Sequence, residues 1–146
     1  MFVHCWVTFL IGVALATAAG QVALGAAATG VIDCGSLTVG PTALPTGKNG
    51  GGASCLLHAY QQRCRAAVYE LSSFGVDTIA RDDFRVVSTN GRCRVNVTSS
   101  FTVVPRKPHL VGSGGCSSLN AVGGDVIARG CVGGGLESSF SLTGRR

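Results

Sequence analysis

Six cysteines spread over residues 34 to 131 constrain this chain more than any other feature. They are Cys34, Cys55, Cys64, Cys93, Cys116 and Cys131. The shortest interval is the nine residues from Cys55 to Cys64, whereas zinc sites use close pairs such as C-x2-C. An even number of widely spaced cysteines in a short chain with 22 glycines is typical of a domain held by disulfides in an oxidising compartment. We therefore expect three disulfide bonds, and neither a metal site nor a cofactor.

A seventh cysteine, Cys5, lies in the first 28 residues, which contain no Lys, Arg, Asp or Glu. Residues 1–28 are predicted to be a signal peptide, because their apolar run leads into the small-residue patterns "ATA" (16–18) and "AAA" (26–28). Alternatively, residues 5–28 remain as a membrane anchor, since about 20 apolar residues span a bilayer. Both interpretations place the rest of the chain outside the cytoplasm, either secreted or held at the membrane only through this segment.

The remaining sequence divides at a loop rich in glycine and proline. Residues 29–52 are predicted to be a connection that includes a candidate short strand, "CGSLTV" (34–39), and residues 53–146 to be one disulfide-stapled domain. Within the connection, Lys48 precedes the glycines of "GKNGGG". A Walker loop has its lysine next to the helix instead, so we do not expect the chain to bind a nucleotide.

A helix is predicted to follow these glycines, with Ser54 as its N-cap. At 100° per residue, most apolar residues between Cys55 and Cys64 share one arc of about 200°. The two cysteines lie at opposite edges of that arc, about 13 Å apart along the axis. They are too far apart to bond to each other, so each is expected to tie the helix to another element.

Two hairpins are predicted from their turns. The dipeptide Asn90-Gly91 is a strong hairpin signal, and the register that it sets places Val86 opposite Val95. One face of this hairpin is then apolar and the other largely polar, in agreement with the alternation along both strands.

The second turn, Gly123-Gly124, places Cys116 opposite Cys131, at a distance that suits a disulfide. Cys116–Cys131 is therefore the bridge with the best support. For the other four cysteines we prefer Cys64–Cys93 with Cys34–Cys55, because Cys93 points to the apolar face where the helix should lie. The combination of Cys34–Cys64 with Cys55–Cys93 stays open.

These elements predict an α+β domain in which one amphipathic helix packs on an antiparallel sheet of about five strands. The order of "CLLHAYQQRCRAA", "GVDT" and "FRVV…NGRCRV" resembles that of small secreted six-cysteine bacterial domains, and the likeness covers about residues 34 to 131. A helix followed by a meander is also similar to the cystatin layout, but the Q-x-V-x-G inhibitor loop is absent. Neither resemblance implies an activity.

Groups for acid–base catalysis are scarce. Outside the first 28 residues the histidines are His58, on the polar helix face, and His109, in a loop, and no motif such as G-x-S-x-G is present. Adjacent residues of a strand point to opposite faces, so Asp82 and Asp83 are not expected to form a carboxylate pair. We expect them in a bulge or loop at the surface, and we predict no catalytic residue.

Basic residues are more suggestive, since the net charge is +5. The hairpin register puts Arg85, Arg92 and Arg94 on one solvent face, and Arg106 and Lys107 are expected nearby. Such a patch would suit anion binding, for example to an acidic envelope polymer or protein surface. An ordinary solvated sheet face, protected by charge from edge pairing, explains the same pattern and is preferred.

Without a catalytic motif, we expect a non-catalytic domain that binds a partner or has a structural role at the cell envelope or outside the cell. Two alternatives stay open. One is a module that binds a polyanion or an acidic surface through its arginine-rich sheet face. The other is a secreted hydrolase of unfamiliar type, for which His58 and Asp82 are the only candidate residues.

The disulfides give the first testable prediction. Reduction of the exported protein should raise its mass by six hydrogens, because each of three disulfides takes up two. Mass spectrometry before and after reduction measures this difference. Six cysteines that react with an alkylating agent before reduction would contradict both the disulfides and the oxidising compartment.

Overall fold

The computed structural model describes residues 30–40 and 51–144. The segment 1–28, interpreted above as a signal peptide or as an anchor over 5–28, lies outside the described residues, and so does Lys48. Of the described residues, 62% are in strands and 10% are helical. Their elements are β1 (Ile32–Val39), α1 (Gly51–Gln61), β2 (Ala67–Phe74), β3 (Thr78–Thr89), β4 (Arg92–Val103), β5 (His109–Val122), β6 (Asp125–Val132) and β7 (Ser139–Ser141).

The seven strands form one sheet in chain order from β1 to β7, curled into a half-barrel. The prediction of an α+β domain with about five antiparallel strands is therefore wrong. Two edge strands account for the difference: β1 joins the sheet parallel to β2, and the short β7 adds to β6. The other neighbouring strands are antiparallel, and both predicted hairpin registers are confirmed, since Val86 pairs with Val95 and Cys116 with Cys131.

The helix differs from the prediction at both ends. It begins at Gly51, so Ser54 lies inside it rather than at its cap, and it ends at Gln61. Arg63 and Cys64 then adopt φ values of 53° and 60°, the left-handed conformation that commonly ends helices. Cys64 is therefore in the turn after the helix and not on its apolar face.

The three disulfides join the cysteines in the pairing preferred from the sequence, namely Cys34–Cys55, Cys64–Cys93 and Cys116–Cys131. The first ties α1 to β1, and the second ties the turn after α1 to the start of β4. The third links β5 to β6 across the sheet. The helix is thus fixed at both ends over the inner face of the half-barrel, where Ala53, Leu56 and Ala59 are buried.

The residues after β7 close the gap between the two edges of the curled sheet. Leu142 is fully buried, and its carbonyl accepts a 2.8 Å hydrogen bond from the Tyr69 hydroxyl on β2. Burial raises the pKa of Tyr69 to about 12, so this hydroxyl stays a donor at any physiological pH. Gly144 lies so close to β1 that a Cβ on it would be 2.4 Å from Cγ2 of Val39.

A glycine in the first turn of the helix permits a close approach to the sheet. A Cβ on Gly52 would lie 2.5 Å from Cε2 of Tyr69 and 2.7 Å from the carbonyl oxygen of Cys34. Since real Cβ atoms do not approach so closely, only glycine lets the first turn of α1 pack directly on β1 and β2.

Gly52→Ala is expected to lower the free energy of unfolding by about 1–3 kcal/mol, the usual cost of overpacking. Helix propensity alone would give the opposite sign, about 1 kcal/mol of stabilisation. Denaturant unfolding measures the difference. Gly134→Ala is the control, because a Cβ there meets nothing within 4 Å; if the two variants are equally stable, the close packing of α1 is not as described.

Asp125, at the start of β6, holds the same C-terminal segment by side-chain hydrogen bonds. Its carboxylate accepts one bond from the Ser141 hydroxyl at 2.7 Å and another from the Thr143 hydroxyl. Burial by itself would raise the pKa of Asp125, but these bonds and those from the backbone amides of Val126 and Thr143 outweigh it and lower the pKa.

A lowered pKa makes this contact pH-dependent in a defined direction. The ionised Asp125 stabilises the fold above the unfolded-state pKa of about 3.9, and the stabilisation is lost as pH falls through the lower folded-state value. We expect Asp125→Asn to unfold more easily than wild type at neutral pH, with the difference vanishing in strong acid. Thermal unfolding across pH measures this, and Asp77→Asn, in an exposed turn, is the control for the loss of one carboxylate. A difference that does not change with pH would contradict the assignment.

Candidate functional site

The outer face of the sheet carries the arginines singled out in the sequence. Arg85, Arg92 and Arg94 are all exposed on it, as the hairpin register predicts. Arg106 and Lys107, however, follow the far end of β4. Eleven residues at about 3.3 Å each separate that end from Arg92, so the expected five-residue basic patch does not form.

Acidic residues interleave with these arginines. Arg81 forms an ion pair with Glu70, with Nε and Oε1 3.3 Å apart. Burial and the neighbouring Glu70 raise the pKa of Asp83, while Arg81 and Arg85 oppose that rise. The outer face is thus of mixed charge around Asp83, and only its hairpin end, with Arg92 and Arg94, is mainly basic.

A shallow outer groove of about 700 Å³ crosses this mixed region. Of the three arginines named from the sequence, Arg85 alone lines it, together with Asp33, Glu70 and Asp83. Three acids against one base do not favour an anionic ligand here, because the acids repel it.

A larger groove, which we name the inner groove, opens on the concave side of the half-barrel and has a volume of about 1010 Å³. No residue of α1 lines it, because the helix covers the other end of the inner face. Its apolar wall consists of Val39, Leu71, Phe74, Ala80, Phe101, Val111 and Phe140. Its polar side chains are Ser73, Asp82, Ser99, Ser100, His109, Glu137, Ser139 and Ser141.

The inner groove combines carboxylates with aromatic rings. Asp82 accepts a 2.5 Å hydrogen bond from the Ser99 hydroxyl on the neighbouring strand. The rings of Phe101 and His109 meet edge to face with centroids 5.9 Å apart. No lysine or arginine lies among the lining residues. Carboxylates and aromatic faces both attract organic cations, and the apolar wall suits a hydrocarbon portion.

The two aspartates occupy different surfaces. Asp82 lines the inner groove, and Asp83 lies on the outer face opposite Thr98, so they do not form a carboxylate pair. The expectation of a bulge or loop is wrong, because both lie within the regular pairing of β3 with β2 and β4.

The histidines are also separated. His58 lies exposed on α1 and lines neither groove, whereas His109 lines the inner groove. His58 and Asp82, the pair considered for a hydrolase, therefore do not share a site. Among the described residues, no group of three or more His, Cys, Asp or Glu is placed to hold a metal ion.

Sequence reasoning missed most of the inner groove. Phe101 belongs to the alternating strand β4, and its inward direction could be predicted. Glu137 and Phe140 reach the groove only because the chain after β6 folds across the concave side, and no local pattern indicates that path.

Comparison with models of protein families, with curated proteins and with solved structures finds no match. Within the two described ranges, no helix has the length and apolar character needed to cross a bilayer.

Proposed function

We propose that this chain is a non-catalytic binding domain of an extracytoplasmic compartment, and that its inner groove binds an amphipathic organic cation. The observation that carries the proposal is the composition of the groove: two carboxylates, aromatic rings and an apolar wall, with no lysine or arginine among the lining residues. A cavity of about 1010 Å³ is at the upper end of the usual range for small-molecule sites.

The disulfides support the proposed compartment. Three disulfides indicate an oxidising environment, and secretion or retention at the envelope is the form of it that we propose. Paired strands β2 to β5 form the wall of the groove, and a rigid wall reduces the ordering cost of binding.

The alternative functions have less support. A polyanion-binding outer face has to overcome the interleaved acids Glu70 and Asp83. A hydrolase that relies on His58 and Asp82 lacks contact between these two residues. The inner groove has neither difficulty, because its carboxylates and its apolar wall favour the same class of ligand.

A matched pair of ligands tests the groove. We expect octyltrimethylammonium to bind more tightly than octyl sulfate, which has the same hydrocarbon chain and the opposite charge. Titration calorimetry at concentrations below micelle formation measures both. Equal binding of the two, or tighter binding of octyl sulfate, would contradict the proposed ligand class.

Substitutions locate the binding site. Ala80→Trp places a large ring in the inner groove and should abolish binding of octyltrimethylammonium. Asn120→Trp, at an exposed position of β5 outside both grooves, should leave binding unchanged. Glu137→Gln should weaken binding severalfold, whereas Glu70→Gln, which removes the same charge from the outer face, should not. If Ala80→Trp binds like wild type, the ligand does not occupy the inner groove.

A further inference from the structure

Two turns at one end of the half-barrel carry a cluster of exposed apolar side chains. One turn joins β2 to β3, and the other joins β4 to β5. The turns are adjacent, because Thr78 pairs with Val103 and the amide of Val104 donates a 2.9 Å hydrogen bond to the carbonyl of Asp77. We name this surface the apolar tip and define it as Phe74, Val76, Val103, Val104, Leu110 and Val111.

The concentration of apolar side chains at the tip is unusual for this protein. Of the nine exposed large hydrophobic side chains among the described residues, six belong to the apolar tip. Val76 is 93% exposed, Leu110 65% and Val104 54%. Single exposed apolar residues need no explanation, but contiguous exposed apolar surface marks an interaction site.

Positive charge accompanies the tip. Arg106 and Lys107 are exposed in the β4–β5 turn, next to Val104. Asp77 is the only acid within residues 74–78 and 103–111, so the tip has a net positive charge. Apolar side chains beside Lys and Arg are the combination that binds anionic lipid surfaces, where the apolar groups enter the interface and the cations meet the headgroups.

The backbone of the tip is held by hydrogen bonds within the turns. The amide of Gly75 donates to the carbonyl of Thr78 at 2.8 Å, and the amide of Arg106 donates to the carbonyl of Val103 at 2.7 Å. The apolar side chains are therefore presented on an ordered backbone, so little ordering of the turns is needed on binding.

We propose that the apolar tip docks this protein onto the surface of a membrane that contains anionic lipids. Val76, Val104 and Leu110 enter the headgroup region, and Arg106 and Lys107 contact lipid phosphates. A lipid surface accepts side chains that project from two separate turns, whereas a protein partner needs a surface of matching shape. Charge complementarity selects anionic over neutral lipid.

Docking at the tip goes beyond binding in the inner groove and does not depend on it. Phe74 and Val111 belong to both surfaces, so the mouth of the groove faces the bilayer in the docked state. Val76 and Leu110 do not line the groove. Their substitution therefore tests docking alone, while Ala80→Trp tests groove binding alone.

The contact is tested on the full chain with lipid nanodiscs of phosphatidylcholine and phosphatidylglycerol that contain a spin-labelled lipid. We expect the backbone amide signals of residues 75–77, 104, 106–107 and 109–111 to broaden, and those of residues 122–125, in the turn at the opposite end of the sheet, to stay sharp. This readout is specific to residues, so it is independent of any contact made by residues 1–28. Broadening confined to 122–125, uniform broadening, or no broadening would overturn the proposal.

Matched variants separate the apolar and the electrostatic contributions. The double variant Val76→Ser and Leu110→Ser should bind about tenfold more weakly to mixed vesicles of phosphatidylcholine and phosphatidylglycerol, as expected for the loss of several buried methyl groups. Val122→Ser, an exposed valine beside the opposite turn, is the control.

Charge-reversal variants test the electrostatic contribution. The double variant Arg106→Glu and Lys107→Glu should bind mixed vesicles more weakly, and its binding should be insensitive to salt. The double variant Arg92→Glu and Arg94→Glu is the control, because it changes the net charge equally. Its binding should still depend on salt. If the two charge variants show the same binding and the same salt dependence, Arg106 and Lys107 do not make the proposed contact with lipid phosphates. Octyltrimethylammonium binding should be unchanged in the Val76 and Leu110 variant, so failure of docking and failure of groove binding remain distinguishable.

Discussion

Helix α1 is held over one end of the concave face by bonds at both of its ends, and the location of the inner groove depends on this. Cys34–Cys55 ties the helix to β1, and Cys64–Cys93 ties the following turn to β4. Leu56, fully buried, fills the inner face beneath the helix. An 11-residue helix is about 16 Å long, shorter than the longest strands. The remainder of the concave face therefore has no helix over it, and the groove lies there.

The local parts of this fold could be predicted from the sequence, and the distant contacts could not. Turn dipeptides such as Asn90-Gly91 set a register because they require particular backbone conformations, and both predicted registers agree with the structure. The parallel pairing of β1 and the approach of Gly144 to Val39 join residues about 35 and 105 positions apart. Strand β7 is only 10 to 14 residues from its partners on β6, but its three residues are too few to show an alternation. These contacts leave no periodic pattern in the sequence, so the predicted number of strands was wrong and the curl was not predicted.

The same difference between local patterns and distant contacts explains what could be predicted of the candidate sites. Alternation along a strand assigns each side chain to a face, and it correctly separated Asp82 from Asp83. Distance along a strand follows instead from the number of residues between two positions, at about 3.3 Å each. The expectation that Arg106 lies near Arg92 fails on this count, because Arg92 begins β4 and Arg106 follows its end. To predict the inner groove, one would have to know where Glu137 lies. It reaches the same side of the sheet as Asp82 only through the path of the chain after β6.

Opposite charges are separated within one end of the molecule: Asp82 and Glu137 line the groove, and Arg106 and Lys107 lie on the β4–β5 turn beside it. Electrostatic interactions between exposed groups fall off over about 10 Å at moderate ionic strength, so each set acts mainly on what lies next to it. An anionic membrane attracts the cationic β4–β5 turn, and it also concentrates amphipathic cations at its surface. The two proposed activities therefore favour the same location. A domain docked through Val76 and Leu110 would have its groove open where ligands of the proposed class accumulate.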